Sequence, residues 1–481
     1  MASEEPKPDD TIYALIDYED PYVQPLILSA LKSRLPSTKY KLITSLSQVP
    51  TPSSRLLQFV QYESIDFDHL MGHSSTSLAN AYVIRKALIR KHYLSTTVAN
   101  WITKYPVSVL REGVKPCVEF EVDYAEFLDD ALVEAWELKE SWGRNEELGE
   151  EEEGRKRREW WILKPGMSER GQGIRLFSSE EELTAIFEEW DPESDEEDEE
   201  DEEGDVRSGS EEGEGRKKEE KDGNEKDKGT GIITSQLRHF IAQPYIHPPL
   251  LLPPPHSPSD DGEGFRKFHI RTYVLATGAL QVYIYRPMLA LFAARPYVPP
   301  WDQVLQSDRE EAMRAHLTNT CLQDSGDREG SVGLFWSLPD DILAQPDFAS
   351  GDGAGEVKDS KGWKEKVFSQ LCEITGETFE AAARGMSIHF QPLPNAFEIF
   401  GLDFMVGIEP DGSLQTYLLE VNAFPDFRQT GDELKGLVEG LFEGVVEKSV
   451  APFFREGGKG SGEEGKEGEM VEVLNIDLGR R

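Results

Sequence analysis

Cysteine is scarce in this chain. Its three residues, Cys117, Cys321 and Cys372, are odd in number and show no metal-ligand spacing, so a disulfide framework and a zinc site are excluded and a reducing compartment is expected. Long apolar runs are lacking too, and none approaches the ~20 residues of a membrane helix. The opening MASEEPKPDD is acidic and polar, unlike a secretory or transit leader. A soluble, cytoplasmic protein with no membrane partner is expected. Bases are outnumbered: 51 Lys and Arg face 91 Asp and Glu, for a net charge of −40. That balance argues against nucleic acid or an anionic membrane as the main partner. Internal repeats, a Ser-His-Asp or Cys-His context, and the glycine patterns of the P-loop and the Rossmann fold are absent as well.

What is present is enough apolar sequence, 38% of 481 residues, for two or three domains. The acid is concentrated. Residues 188–228 hold 22 acids and 7 bases with few apolar residues, which predicts a disordered insert over about 188–230. Upstream, TIYALIDYED followed by PYVQPLILSALKSRL reads as a strand and helix, opening an α/β domain over 11–79. SLANAYVIRKALIRKHYLSTTVANWITKY predicts one or two helices whose basic face carries Arg85, Lys86, Arg90 and Lys91. That face is a solvated surface or a docking site. The remaining boundaries expected are 80–247, 248–455 and a flexible tail over 456–481. The fold class is α/β (α+β).

Three stretches carry chemistry. In LKPGMSERGQGI, Lys164 ends an apolar strand and a glycine loop through Gly166, Gly171 and Gly173 leads to a second strand; it is a phosphate cradle or an ordinary glycine hairpin. In FRKFHIRTYV, alternation puts Lys267, His269, Arg271 and Tyr273 on one face, which is an anion site or a solvated sheet face. Arg286 ends the partner strand and could face the same space. In LDFMVGIEPDGSLQTYLLEVN, Asp411-Gly412 signals a two-residue hairpin loop. That register sets Asp403 opposite Glu420, roughly 5 Å apart, with Asn422 on the same face. Two opposed carboxylates repel, and a hard cation such as Mg²⁺ would relieve them; the alternative is a solvated edge. A glycine-backed lysine, a basic strand and two carboxylates together suit phosphoryl transfer from a nucleotide.

The order of these stretches, with AQPYIHPPLLL, YIYRPMLALFAARPY, HLTNTC and YLLEVNAFPDF, resembles the tubulin–tyrosine ligase family, whose core is an ATP-grasp fold, from about residue 80 to 450. The resemblance implies ATP and Mg²⁺ as cofactors. Lys164, Gly171, Gln172 and Gly173 would hold phosphates, and Gln243, Tyr245 and Ile246 would line the adenine pocket. Lys267 would reach the phosphates, and Asp403, Glu420 and Asn422 would hold the metal. Arg271, Lys267 and Glu420 would be catalytic, with Arg271, Arg286, Asn319 and Lys86 on the substrate side. It implies ligation of a free amino acid, tyrosine first, to the C-terminus of α-tubulin or another protein through an acyl phosphate. A scaffold without turnover and a glutamate or glycine ligase are the alternatives. Two departures stand out. Leu291 replaces an arginine that family members use near the substrates, with Pro287 where an acid is usual, and Pro244 replaces a basic hinge residue.

Overall fold

A computed structural model describes residues 10–149, 151–166, 173–190, 238–255, 264–302, 309–318, 331–342, 345–346, 354–355, 357–358, 360–431, 434–455 and 468–479. Three main sheets organise them.

The first is parallel, with β1 (Ile12–Asp17), β2 (Tyr40–Ile43), β3 (Leu56–Val60) and β4 (Ser77–Ala79) in the order β2-β1-β3-β4. The helix Val23–Arg34 follows β1 and buries Val23, Leu26, Ile27, Ala30 and Leu31, the three-and-four spacing of a single apolar stripe. At its C-terminal end Ser33 and Arg34 each hold Glu443 at 2.7 Å, on the helix Lys435–Val445.

The second sheet is antiparallel: β5 (Val118–Glu121), β6 (Trp161–Pro165), β7 (Arg175–Phe177) and β8 (His239–Pro244), in the order β5-β8-β6-β7. The expected strand–glycine turn–strand is β6 pairing β7 from Trp161↔Phe177. The helix Glu180–Trp190 closes one side. It runs through the first three residues of the expected disordered insert because Leu183, Ile186, Phe187 and Trp190 give it a buried stripe. The rest of that insert, 191–230, falls within residues 191–237, which lie outside the described residues.

The third sheet is built on β10 (Arg266–Thr277). Along one edge β10 pairs β16 (Phe397–Ile408), which pairs β17 (Leu414–Ala423). Along the other it pairs β12 (Leu289–Phe292) and then β11 (Gln281–Tyr285); β9 (Leu251–Leu252) and β13 (Val332–Leu334) extend the sheet. A short ribbon, β14 (Gln345–Pro346) with β15 (Ala354–Gly355), stands apart. The long helix Trp363–Gly385 covers the face that carries Phe268, Ile270, Val274 and Ala276. The opposite face carries Tyr273 and Leu275, which pack with the first sheet and the helix Lys435–Val445.

Two readings change here. The expected tail over 456–481 contains β18 (Met470–Asn475), which pairs β11 and seats Met470 against Gly444. Its alternation VEVLN follows a glycine- and acid-rich run that masked it. Arg286 does not face the space of Arg271. Tyr285 shares the Tyr273 face, so alternation sends Arg286 to the other side, where it ion-pairs with Glu365 and lies 4.3 Å over Trp336. Among the described residues no helix is long and apolar enough to cross a membrane.

Candidate active site

The basic strand face is buried rather than solvated. Lys267, His269 and Arg271 are 3%, 4% and 7% exposed, so each needs a partner. Lys267 donates to the Tyr245 hydroxyl at 2.9 Å, and that hydroxyl meets His316 Nδ1 at 2.8 Å. His269 Nδ1 lies 2.5 Å from Thr318 Oγ1. Arg271 clasps Asp403 from β16 with two parallel bonds, Nε to Oδ1 at 2.5 Å and an Nη to Oδ2 at 2.9 Å. Gly401 leaves room for this: a Cβ there would stand 3.4 Å from Arg271 Cδ and 2.9 Å from Pro425.

Asp403 does pair with Glu420, by a route the sequence did not indicate. The turn holds three residues rather than two: Gly412 donates to Glu409, Glu409 and Ser413 close the ladder, and Gly412 adopts φ 83°. That offsets the register by one, as in Phe404↔Leu418. A bulge at Leu419 then adds one residue and restores Asp403↔Glu420. Asn422 bridges the two acids, its amide 3.1 Å from Glu420 and 3.5 Å from Asp403.

The expected repulsion between the acids is neutralised from within. Arg271 takes Asp403, and Lys91 Nζ lies 3.4 Å from Glu420. Burial alone would raise the Glu420 carboxyl, but Lys91, the Asn422 amide, Lys164 and Arg271 outweigh it and hold it at about 2. Lys91 is thus the residue of the basic helical face that meets the acids. Lys86, the one expected on the substrate side, is exposed, because the segment breaks into two helices, Lys86–Ile89 and Lys91–Lys104, and turns Lys91 inward. Arg85 is buried against Glu398 at 2.8 Å and braces the fold.

Lys164, at the end of β6, donates to Gln243 at 2.9 Å, and Gln243 donates to the Lys115 carbonyl at 3.3 Å. Gly173 has φ 73°, as a loop glycine there requires. Gly171, Gln172 and Asn319 lie outside the described residues. Tyr245 turns its ring toward Lys267, while Ile246 packs with Met405, Tyr417 and Leu419. These last three were not foreseen as an apolar floor, although their alternation in MVGIEPDGSLQTYLL was visible.

The site therefore gathers four cations, Lys91, Lys164, Lys267 and Arg271, around two carboxylates. The excess is felt: burial and then Lys164 push the Lys267 ammonium down to about 7. A buried excess of positive charge fits a polyanion. The carboxylates of Asp403 and Glu420 fit Mg²⁺, an ion held by one or two carboxylates plus phosphate oxygens, and Asn422, whose amide nitrogen now faces both acids, would add its oxygen on turning over. Among the described residues no three His, Cys, Asp or Glu gather into a self-sufficient metal cage, so phosphate would have to complete the shell.

A proton measurement checks the cation cluster. A phosphate beside Lys267 restores its charge, so nucleotide binding at pH 8 is expected to take up close to one proton, and uptake should vanish below pH 6, where the lysine is already charged. Titration calorimetry in two buffers of different ionisation heat reads this, and Lys267→Met should abolish it. In the free protein the lowered value makes stability rise with pH from about 7 toward the ordinary lysine value, since the unfolded chain holds the extra proton.

Comparison with known proteins gives one direction. A model of the tubulin-tyrosine ligase family matches residues 121–457. A probable tubulin–tyrosine ligase of Schizosaccharomyces pombe is 40% identical over 450 residues, covering 93% of each chain. The probable tubulin–tyrosine ligase PBY1 of Saccharomyces cerevisiae is 38% identical, over 90% of this chain but 51% of its own length, so the chain spans about half of that relative. Among solved structures, the C-terminal domain of K. lactis Pby1, an ATP-grasp enzyme interacting with the mRNA decapping enzyme Dcp2, is 33% identical with a TM-score of 0.61. That match covers 97% of this chain and 99% of the other.

Proposed function

This chain belongs to the tubulin–tyrosine ligase family and has its ATP-grasp fold, and from that premise we propose that it is an ATP- and Mg²⁺-dependent ligase joining a free amino acid to a protein carboxylate. Tyrosine on the C-terminus of α-tubulin is the pair to try first. The observation that carries the reading is the buried excess of cations beside an oxygen set, in a chain of net charge −40. Lys164 and Lys267 would hold phosphate oxygens, and the floor of Ile246, Met405, Tyr417 and Leu419 would accept a flat apolar base. Bound Mg²⁺-ATP supplies an activated phosphoryl group for the acceptor carboxylate. Arg271 would release part of its hold on Asp403 to orient that carboxylate, and Lys91 would screen its approach to the phosphates. With ADP as the other product of the phosphoryl transfer, the amine of the amino acid would attack the acyl carbon, forming the amide bond as inorganic phosphate leaves and the nitrogen loses its proton.

A second reading is an ATP-binding module whose role is to engage a protein, without ligation. Leu291 favours it. This residue is 1% exposed and in register with His269, so an apolar side chain stands beside the polar row where the family places an arginine. The K. lactis neighbour, named for its contact with a decapping enzyme, points the same way.

Incorporation of labelled tyrosine, glutamate and glycine into detyrosinated tubulin, with Mg²⁺-ATP, separates the two. Tyrosine incorporation is expected under the first reading. ATP binding with no incorporation of any of the three excludes tubulin as acceptor and leaves a ligase with another acceptor or the second reading; ATP turnover without added acceptor then decides between them.

A further inference from the structure

Residues 123–140 turn large apolar side chains outward. The segment contains the 3-10 turn Ala125–Phe127, the short helix Leu128–Ala131 and the start of the helix Trp136–Leu148. Its inner positions, Leu128, Leu132, Ala135 and Leu138, fill the core under the second sheet. The outer positions of such a segment are ordinarily polar. Here Tyr124 is 51% exposed, Phe127 47%, Val133 55% and Trp136 65%. They are organised as two pairs. Tyr124 and Phe127 meet edge to face at 6.2 Å. Lys139 lies 6.0 Å over Trp136 and donates to the Val133 carbonyl at 3.4 Å. Outward aromatic residues of this kind anchor interfaces.

Apart from Lys139, the charge along the segment is acidic. Glu126, Asp129, Asp130, Glu134 and Glu137 are exposed, and none ion-pairs among the described residues. Lys139 is the sole base between 123 and 140. Two described neighbours close on the same face: the helix Glu180–Trp190 packs on the turn Ala125–Phe127, and Arg238 pairs with Asp123 at 2.6 Å.

We propose that this face binds a basic, amphipathic segment of another protein. Its lysines or arginines would meet the acids, and its apolar residues would seat on Tyr124 and Phe127 at one end and on Val133 and Trp136 at the other. The same field repels nucleic acid, an anionic membrane and a second copy of this face. No residue of the cleft takes part, so the proposal stands or falls separately from ligase activity.

Two synthetic 18-residue peptides of equal positive charge test it, one with leucines at helical i, i+3, i+4, i+7 spacing and one with serines in their place. Binding to the full chain is read by fluorescence anisotropy. The leucine peptide is expected to bind at least ten-fold more tightly than the serine peptide. Phe127→Ser with Trp136→Ser should remove that advantage without lowering Tm, and Glu134→Lys with Glu137→Lys should weaken binding of the leucine peptide. Equal binding of both peptides, no binding of either, or indifference to the Phe127 and Trp136 changes would overturn the proposal. So would a native dimer that Trp136→Ser dissociates, since a second copy would then be the occupant.

Discussion

Glu420→Gln is expected to lower Mg²⁺-ATP-dependent turnover by at least ~10²-fold, the scale for removing one preorganised charge from a reacting centre. The loss should reach metal affinity as well, which Mn²⁺ binding followed by electron paramagnetic resonance in the presence of nucleotide would read directly. Nucleotide binding without metal should hold or strengthen, because the change removes an anion from beside Lys164 and Lys91. The stability effect runs against the view that two opposed acids burden the hairpin. Glu420 is neutralised by Lys91, so the amide leaves a cation short of its partner and the variant should be modestly less stable at neutral pH. Because the folded carboxyl is held at about 2, its contribution is full above the unfolded value near 4.5 and fades as pH falls toward 2. Wild type and variant should therefore converge in acid. Full activity with unchanged metal affinity would remove Glu420 from the site.

Arg271→Ala is expected to produce the largest stability loss of any single change in the cleft, ~3–5 kcal/mol by chemical denaturation, because it strands Asp403 at 5% exposure beside His269. The paired change Arg271→Met with Asp403→Leu should recover most of it, since apolar replacement of a buried ion pair is often neutral or better. Neither protein should turn over. A double-mutant cycle with a coupling below ~1 kcal/mol would show that the two residues do not act as a pair. Recovery of stability without recovery of activity would separate what the pair does for the fold from what it does for the chemistry.

Much of this was legible in the residues. Strand alternation alone placed Lys267, His269 and Arg271 together, and the apolar runs around Asp411-Gly412 located the hairpin. The missing parts follow from geometry that local pattern does not encode. The three-residue turn and the bulge at Leu419 each shift the register by one, and they cancel, so Asp403 and Glu420 meet for a reason the sequence did not reveal. Lys91 rather than Lys86 reaches the acids because of a break between two helices at Arg90. Arg286 points away from Arg271 because it follows Tyr285, which takes the Tyr273 face, so alternation carries Arg286 to Glu365 on the other side. β18 was hidden because six residues after a glycine-rich run are too few to announce a strand until β11 is there to receive them.

The clustering of cations in one buried cleft of an acidic chain has a kinetic consequence. A polyphosphate approaching from solution first meets a repulsive outer field and only then an attractive inner one. Ionic strength acts on the two differently. At physiological salt the screening length is about 8 Å, so added salt erases the long-range barrier and speeds encounter, while the short-range attraction inside the cleft weakens only later. Capture of nucleotide should thus be most efficient at an intermediate salt concentration, with the association rate climbing before the residence time begins to shorten.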